Sequence, residues 1–108
     1  MSLRVGLLAL LWGTRALAEG EQVWLLDVRE EWEHQLASLA QARLIPLGEL
    51  PDRLGELPRD RPVYFLCHHG VRSYRACQWA AHAGCEAVNV EGGIDAWSQD
   101  VDSSVPRY

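Results

Sequence analysis

Cys67-His68-His69-Gly70-Val71-Arg72-Ser73 is the stretch of this chain whose residue types could do chemistry together. A cysteine attacks as its thiolate, which forms most readily where N–H donors and cations gather. Gly70 permits the backbone conformation of a tight turn, so successive N–H groups can converge inward as an anion cradle. A helix starting near Ser73 would add the free donors and positive dipole end of its first turn. The Cys67 thiol is therefore expected below the ordinary cysteine range. A persulfide on Cys67, or an incoming anionic sulfur species, would meet the same donors. Arg72, with His68 and His69, is expected to add positive charge at the rim. The alternative for Cys67 is a small buried hydrophobe at a strand end, the usual state of a free cysteine. The basic, glycine-containing loop favours the nucleophile. Cys77 and Cys85 lack such surroundings and read as structural.

The elements around the loop must place it. Val23-Trp24-Leu25-Leu26-Asp27-Val28 is a continuous apolar run, the signature of a strand buried on both faces. A helix is expected from Glu30 to about Leu39, with acidic residues in its first turn, then a very short strand at Leu44-Ile45 stopped by Pro46. A short helix near Glu49–Leu54 and the loop Pro58–Pro62 lead to the strand Val63–Leu66, which runs straight into Cys67. The next helix is expected from Ser73 to Ala83, stopped by Gly84, with Ala76, Cys77, Ala80 and Ala83 packed and Arg75, Gln78 and His82 wet. Ala87–Val90 reads as a strand, Gly92-Gly93 as a turn and Ile94–Trp97 as a helical stub. Alternating strands and helices imply an α/β fold, a parallel sheet covered on both faces. Ligands of such sheets bind at the carboxyl ends of the strands, where Cys67 stands.

The chain is read as one domain over residues 1–108. Its net charge of −5 weighs against nucleic acid and against an acidic membrane surface. All ten basic residues are arginine, so Schiff-base lysine chemistry and a P-loop lysine are excluded. Three cysteines, an odd number, suit free thiols in a reducing, cytoplasmic compartment. Arg4, the apolar run Val5–Trp12 and Ala16-Leu17-Ala18 also resemble a short signal peptide, which would mean export to the periplasm. The favoured reading is an ordinary helix ending at Gly20, because a single basic residue precedes the run and Arg15 stands just before the cleavage-site residues. The stretch is too short to span a bilayer.

Asp27-Val28-Arg29-Glu30, then Cys67 to Ser73, then Glu91-Gly92-Gly93-Ile94-Asp95-Ala96-Trp97 resemble, in order and spacing, the three motifs of the rhodanese family. The segment Asp95–Ser98 through Val105-Pro106-Arg107-Tyr108 further resembles small bacterial rhodaneses, and rhodanese domains appended to adenylyltransferases that activate sulfur carriers. The resemblance implies a mainly parallel five-stranded sheet flanked by helices on both faces. It also implies ping-pong sulfur transfer from thiosulfate or a persulfide, through a Cys67 persulfide, to cyanide or a thiol. No metal or organic cofactor is expected. By carry-over, the amides of His68, His69, Gly70, Val71, Arg72 and Ser73 form the cradle and the Arg72 side chain binds the anion. Arg29, beside Asp27, is expected to fix local structure through an ion pair. Partners would be small sulfur-containing anions or thiols, with a sulfur-carrier protein or a cysteine desulfurase as further candidates, and the chain a monomer or homodimer. Gln35–Ala40 departs from the family's Gly-His-Ile segment, which puts that wall of the cleft, and so substrate preference, in question.

Rival readings are weaker. Cysteine phosphatases and arsenate reductases of related fold place one more residue between cysteine and arginine than the four found here. The shorter loop suits a single sulfur atom better than a tetrahedral oxyanion. A metal site drawn from Cys67, His68, His69, His82 and Cys77 or Cys85 lacks spaced ligand pairs, and adjacent histidines normally point apart. His34 shows no sequence partner. A pair of carboxylates at Asp27 more often caps a helix than moves protons. A binding or regulatory module without turnover would be expected to lose Cys67. Trp12, Trp24, Trp32, Trp79 and Trp97 could form an exposed aromatic patch, but are expected mostly in packing.

Overall fold

The computed structural model describes residues 2–5, 24–39, 42–100 and 102–108. The body of the N-terminal apolar run, Trp12, Ala16–Ala18 and Gly20, on which the helix and signal-peptide readings rest, lies outside the described residues. Among the described residues, five parallel strands form one sheet: β1 (Ser2–Val5), β2 (Trp24–Asp27), β3 (Arg43–Leu44), β4 (Val63–Leu66) and β5 (Ala87–Val90). Their order is β1-β5-β4-β2-β3. Every pairing is parallel, and Ser2–Val5, read from sequence as leading into a helix or leader, is an edge strand against β5.

The apolar runs become the central strands because side chains alternate between two covered faces. Leu26, Val63, Phe65 and Ala87 point to one face, where Leu50, Ala76, Cys77 and Ala80 cover them. Leu25, Leu66, Val88 and Val90 point to the other, under Ala37, Ile94 and Trp97. Among the described residues the helices are α1 (Glu31–Leu36), α2 (Leu50–Arg53, flanked by single three-residue turns at Leu47–Glu49 and Leu54–Glu56), α3 (Val71–His82) and α4 (Gly93–Asp100). Small residues let α3 lie close on the sheet: Ala76, Cys77 and Ala80 are fully buried, while Ala83 is half-buried and Arg75, Gln78 and His82 face solvent. Trp97 is buried, Trp24 and Trp79 are half-buried, and Trp32 is 61% exposed beside exposed Leu36.

Register sets the site. Asp27 pairs with Leu66, so the chain leaves β2 and β4 side by side, and the Val28 amide bonds the Leu66 carbonyl at 2.9 Å. Phe65 pairs with Asn89, which brings the end of β5 against the loop after β4.

Candidate active site

Cys67 is the first residue beyond β4 and is only 1% exposed. Gly70 closes the loop with φ +102° and precedes the first turn of α3. Its amide donates to the Cys67 sulfur, N–H to Sγ at 3.0 Å, and its left-handed conformation turns the chain from the loop into the helix. A side chain at Gly70 would also crowd the Gly92 amide at 3.2 Å. Ser73, buried in the first turn of α3, puts its hydroxyl 3.3 Å from the same sulfur. The Gly70 amide and the Ser73 hydroxyl both reach Sγ.

Asn89, unmarked in the sequence, completes the loop. Its Oδ1 accepts the Ser73 hydroxyl at 2.5 Å and its Nδ2 donates to the Gly70 carbonyl at 3.1 Å. The single Ser73 proton can serve Asn89 while the Cys67 thiol donates to Ser73 Oγ, or turn to sulfur when sulfur is charged. From behind, the first amides of α4 hold the loop: Ile94 donates to the Cys67 carbonyl at 2.8 Å and Asp95 to the His68 carbonyl at 3.1 Å. Gly93 lets those chains approach, since a Cβ there would overlap both carbonyl oxygens.

Asp27 and Arg29 form a buried scaffold. Arg29 is fully buried and uses all five N–H donors: on both Asp27 oxygens, on the Glu33 and Ala37 carbonyls, and on the Tyr108 hydroxyl. The resulting ion pair, 2.7 Å at its shorter arm, fits the structural role expected of Arg29. His34 has the partner its sequence did not reveal, with Nδ1 2.9 Å from Asp27 Oδ2. With its oxygens so committed, Asp27 is not placed as a proton-transfer group.

The rim differs from the sequence expectation in its charge. Arg72 does not stand free as an anion-binding side chain; it pairs with both oxygens of Glu33 at 2.6 and 2.8 Å. Those hydrogen bonds outweigh the opposing cost of burial and, with help from the Tyr108 hydroxyl, hold the Glu33 carboxyl down at about 2. Glu33 in turn raises Arg72 further above its already basic range. His68 and His69 do not point apart but stack, ring centroids 4.0 Å apart, and Tyr108 stacks on the other side of His68 at 3.9 Å. Burial, then the neighbouring His69, pushes the His68 imidazole below its usual range, which favours the neutral ring. Its Nε2 is buried with no hydrogen-bond partner among the described residues. His69 is largely exposed, with Nδ1 3.9 Å from Asp95.

A cavity of about 410 Å³ adjoins the loop, lined by His69, Gly70, Val71, Tyr74, Asn89, Glu91 and Gly92. Its volume falls in the range of small-molecule sites. Cys67 is not in its wall; Gly70 and Asn89 link the two. Cys77 and Cys85 are buried in the core, as read, and His82 lies on the exposed face of α3.

A family model described as a rhodanese-like domain matches residues 12–100. The chain belongs to the rhodanese-like family. It is 37% identical over 87 residues to a sulfurtransferase of Allochromatium vinosum, covering 80% of this chain and 81% of that protein. It is 38% identical over 77 residues to YtwF of Bacillus subtilis, which carries a provisional sulfurtransferase name, covering 71% and 75%. The solved rhodanese-like domain protein of Staphylococcus aureus superposes with a TM-score of 0.79 at 30% identity, covering 99% of this chain and 97% of that one. In this rhodanese-like domain, sequence reasoning missed Glu33, Asn89 and Tyr108. For Tyr108, the sole signal was the resemblance of its segment to small rhodaneses.

Proposed function

We propose that this rhodanese-like protein moves a sulfane sulfur through a persulfide on Cys67. The observation that carries the reading is the Gly70 N–H aimed at Cys67 Sγ at 3.0 Å, at the mouth of the α3 dipole. A negative charge on that sulfur is stabilised by the amide, by the Ser73 hydroxyl and by the first turn of the helix. The thiolate attacks the outer sulfur of the donor, the donor's bond to that sulfur breaks, and sulfite or a thiolate departs. Cyanide or a thiol then takes the outer sulfur from the persulfide, and the Cys67 thiolate returns. The acceptor is a small thiol or the terminus of a sulfur-carrier protein, and a cysteine desulfurase persulfide is a further source. Free thiols at Cys67, Cys77 and Cys85 suit a reducing compartment.

The test is intact-protein mass after incubation with thiosulfate or a small persulfide, for wild type and Cys67→Ser. The wild type is expected to gain about one sulfur atom, removed by cyanide as thiocyanate, and the variant none. No adduct from either donor class would overturn the reading.

A further inference from the structure

Arg72, in the first turn after the Cys67 loop, is already neutralised by Glu33. We infer that Glu33 selects the sulfur donor: by holding Arg72, it turns the site away from the thiosulfate dianion and toward persulfides of thiols. This rests on the sulfurtransferase reading above.

Glu33 is almost fully buried, and each of its oxygens accepts two hydrogen bonds. Oε1 takes Arg72 Nη1 at 2.6 Å and the Glu30 amide at 3.1 Å. Oε2 takes Arg72 Nη2 at 2.8 Å and the Tyr108 hydroxyl at 2.7 Å. Tyr108 is itself anchored by Arg29 at 2.7 Å. A carboxylate saturated in this way does not yield its guanidinium readily, because release would strand a buried charge. Among the described residues, His68, His69 and Arg107 offer little in its place. The His68 ring is stacked on both sides with Nε2 buried, His69 lies beside Asp95, and Arg107 is on Asp95 at 3.0 Å. Glu91 lines the neighbouring cavity and Val71 and Tyr74 give it apolar wall, suited to the carbon skeleton of a thiol.

The two donor reactions differ in charge. Thiosulfate brings two negative charges to the Cys67 thiolate; its S–S bond breaks, sulfite leaves, and an anionic persulfide remains. A persulfide in its RSSH form brings none; its S–S bond breaks, RS⁻ leaves, and Cys67–S–SH forms. Both are redox-neutral, but the first gathers three negative charges at the loop donors while Arg72 is held by Glu33. Like charges at such distances repel strongly outside bulk water.

The experiment measures kcat/KM for thiosulfate and for cysteine persulfide at low and moderate salt, in wild type, Glu33→Gln and the neutral pair Glu33→Gln/Arg72→Gln. Wild type is expected to favour cysteine persulfide by at least about tenfold, and added salt to improve thiosulfate turnover by screening repulsion. Glu33→Gln frees Arg72 and is expected to shift the ratio toward thiosulfate by about tenfold or more. The double variant, having no free cation, is expected to return to the wild-type preference. A wild type that favours thiosulfate, or loses thiosulfate turnover as salt rises, would overturn the inference even if Glu33→Gln does not fold. An unchanged ratio in a folded Glu33→Gln would do the same. Failure of both donors to load Cys67 would instead remove the sulfurtransferase reading.

Discussion

Arg72 in the first turn of α3 and Glu33 in α1 meet in a bidentate pair at 2.6 and 2.8 Å, across 39 positions of sequence. The pair closes the loop that carries Cys67 against the element that follows β2. It couples the proton state of one buried carboxylate to the geometry of the site.

Acid is therefore expected to weaken the fold through this pair. The folded-state value of Glu33, about 2, lies below its ordinary 4.5. Its contribution is full above the ordinary value and is lost as pH falls from 4.5 toward 2. At about 1.4 kcal/mol per unit, the upper value is about 3 kcal/mol. Urea midpoints measured between neutral and strongly acid pH should fall through this window, and Glu33→Gln should flatten that part of the curve. Parallel curves would show that Glu33 carries no such linkage.

Cys67→Ser should abolish sulfur loading, whereas Cys77→Ala and Cys85→Ala should still load one sulfur per chain. Both latter thiols are fully packed, so their loss is expected to cost about 1–2 kcal/mol of stability without moving the adduct. Mass spectrometry of the three variants reads this directly. An adduct surviving in Cys67→Ser would move the nucleophile elsewhere.

Much of this architecture was legible in the sequence. Val63–Leu66 and Ala87–Val90 form strands where they were expected, because short, mostly apolar runs between turn signals are buried at the centre of a covered sheet. The loop at Cys67 and the turn at Gly70 were legible for the same local reason. Helix limits were less so. α1 stops at Leu36 rather than near Leu39 because Ala37 is extended and its carbonyl, like that of Glu33, is taken by the Arg29 guanidinium. α3 begins at Val71, two residues before Ser73, because Gly70 caps it in a left-handed conformation. The partners of His34, Arg72 and Ser73 were hidden. Asn89 reaches Ser73 through strand register, and Tyr108 reaches Glu33 from 75 residues away. Local pattern carries no trace of such pairs.

Glycine positions separate steric need from chain flexibility. Gly93→Ala would drive a methyl into the Cys67 and His68 carbonyls, in a backbone with φ +60°. A loss of about 3 kcal/mol or more is expected, with sulfur loading lost alongside. Gly55→Ala meets nothing within 4 Å and has no positive φ, so it should be neutral or stabilising by up to about 1 kcal/mol. Thermal unfolding of the two variants distinguishes them, and equal shifts would show that the close approach of α4 to the loop is not required.

Asn89→Asp tests the hydrogen-bond chain under the sulfur. In the wild type, Asn89 accepts from Ser73 and donates to the Gly70 carbonyl, so one neutral side chain holds both ends of the loop. Aspartate keeps the shape and the acceptor, removes the donor and adds a charge. The Ser73 hydroxyl is then drawn firmly to the carboxylate and is less available to a charged Cys67 sulfur, 3.3 Å away. The new charge also repels that sulfur through a medium less polar than water. Alkylation of Cys67 by iodoacetamide at pH 7 is expected to slow by about tenfold, the effect of ~1.4 kcal/mol. Persulfide formation should slow in parallel, because both reactions begin with the same charged sulfur. Loss of the Gly70 bond adds a stability cost of about 1–3 kcal/mol, so folding is checked alongside. A folded Asn89→Asp with wild-type alkylation and loading rates would show that Ser73 does not respond to the charge on Cys67.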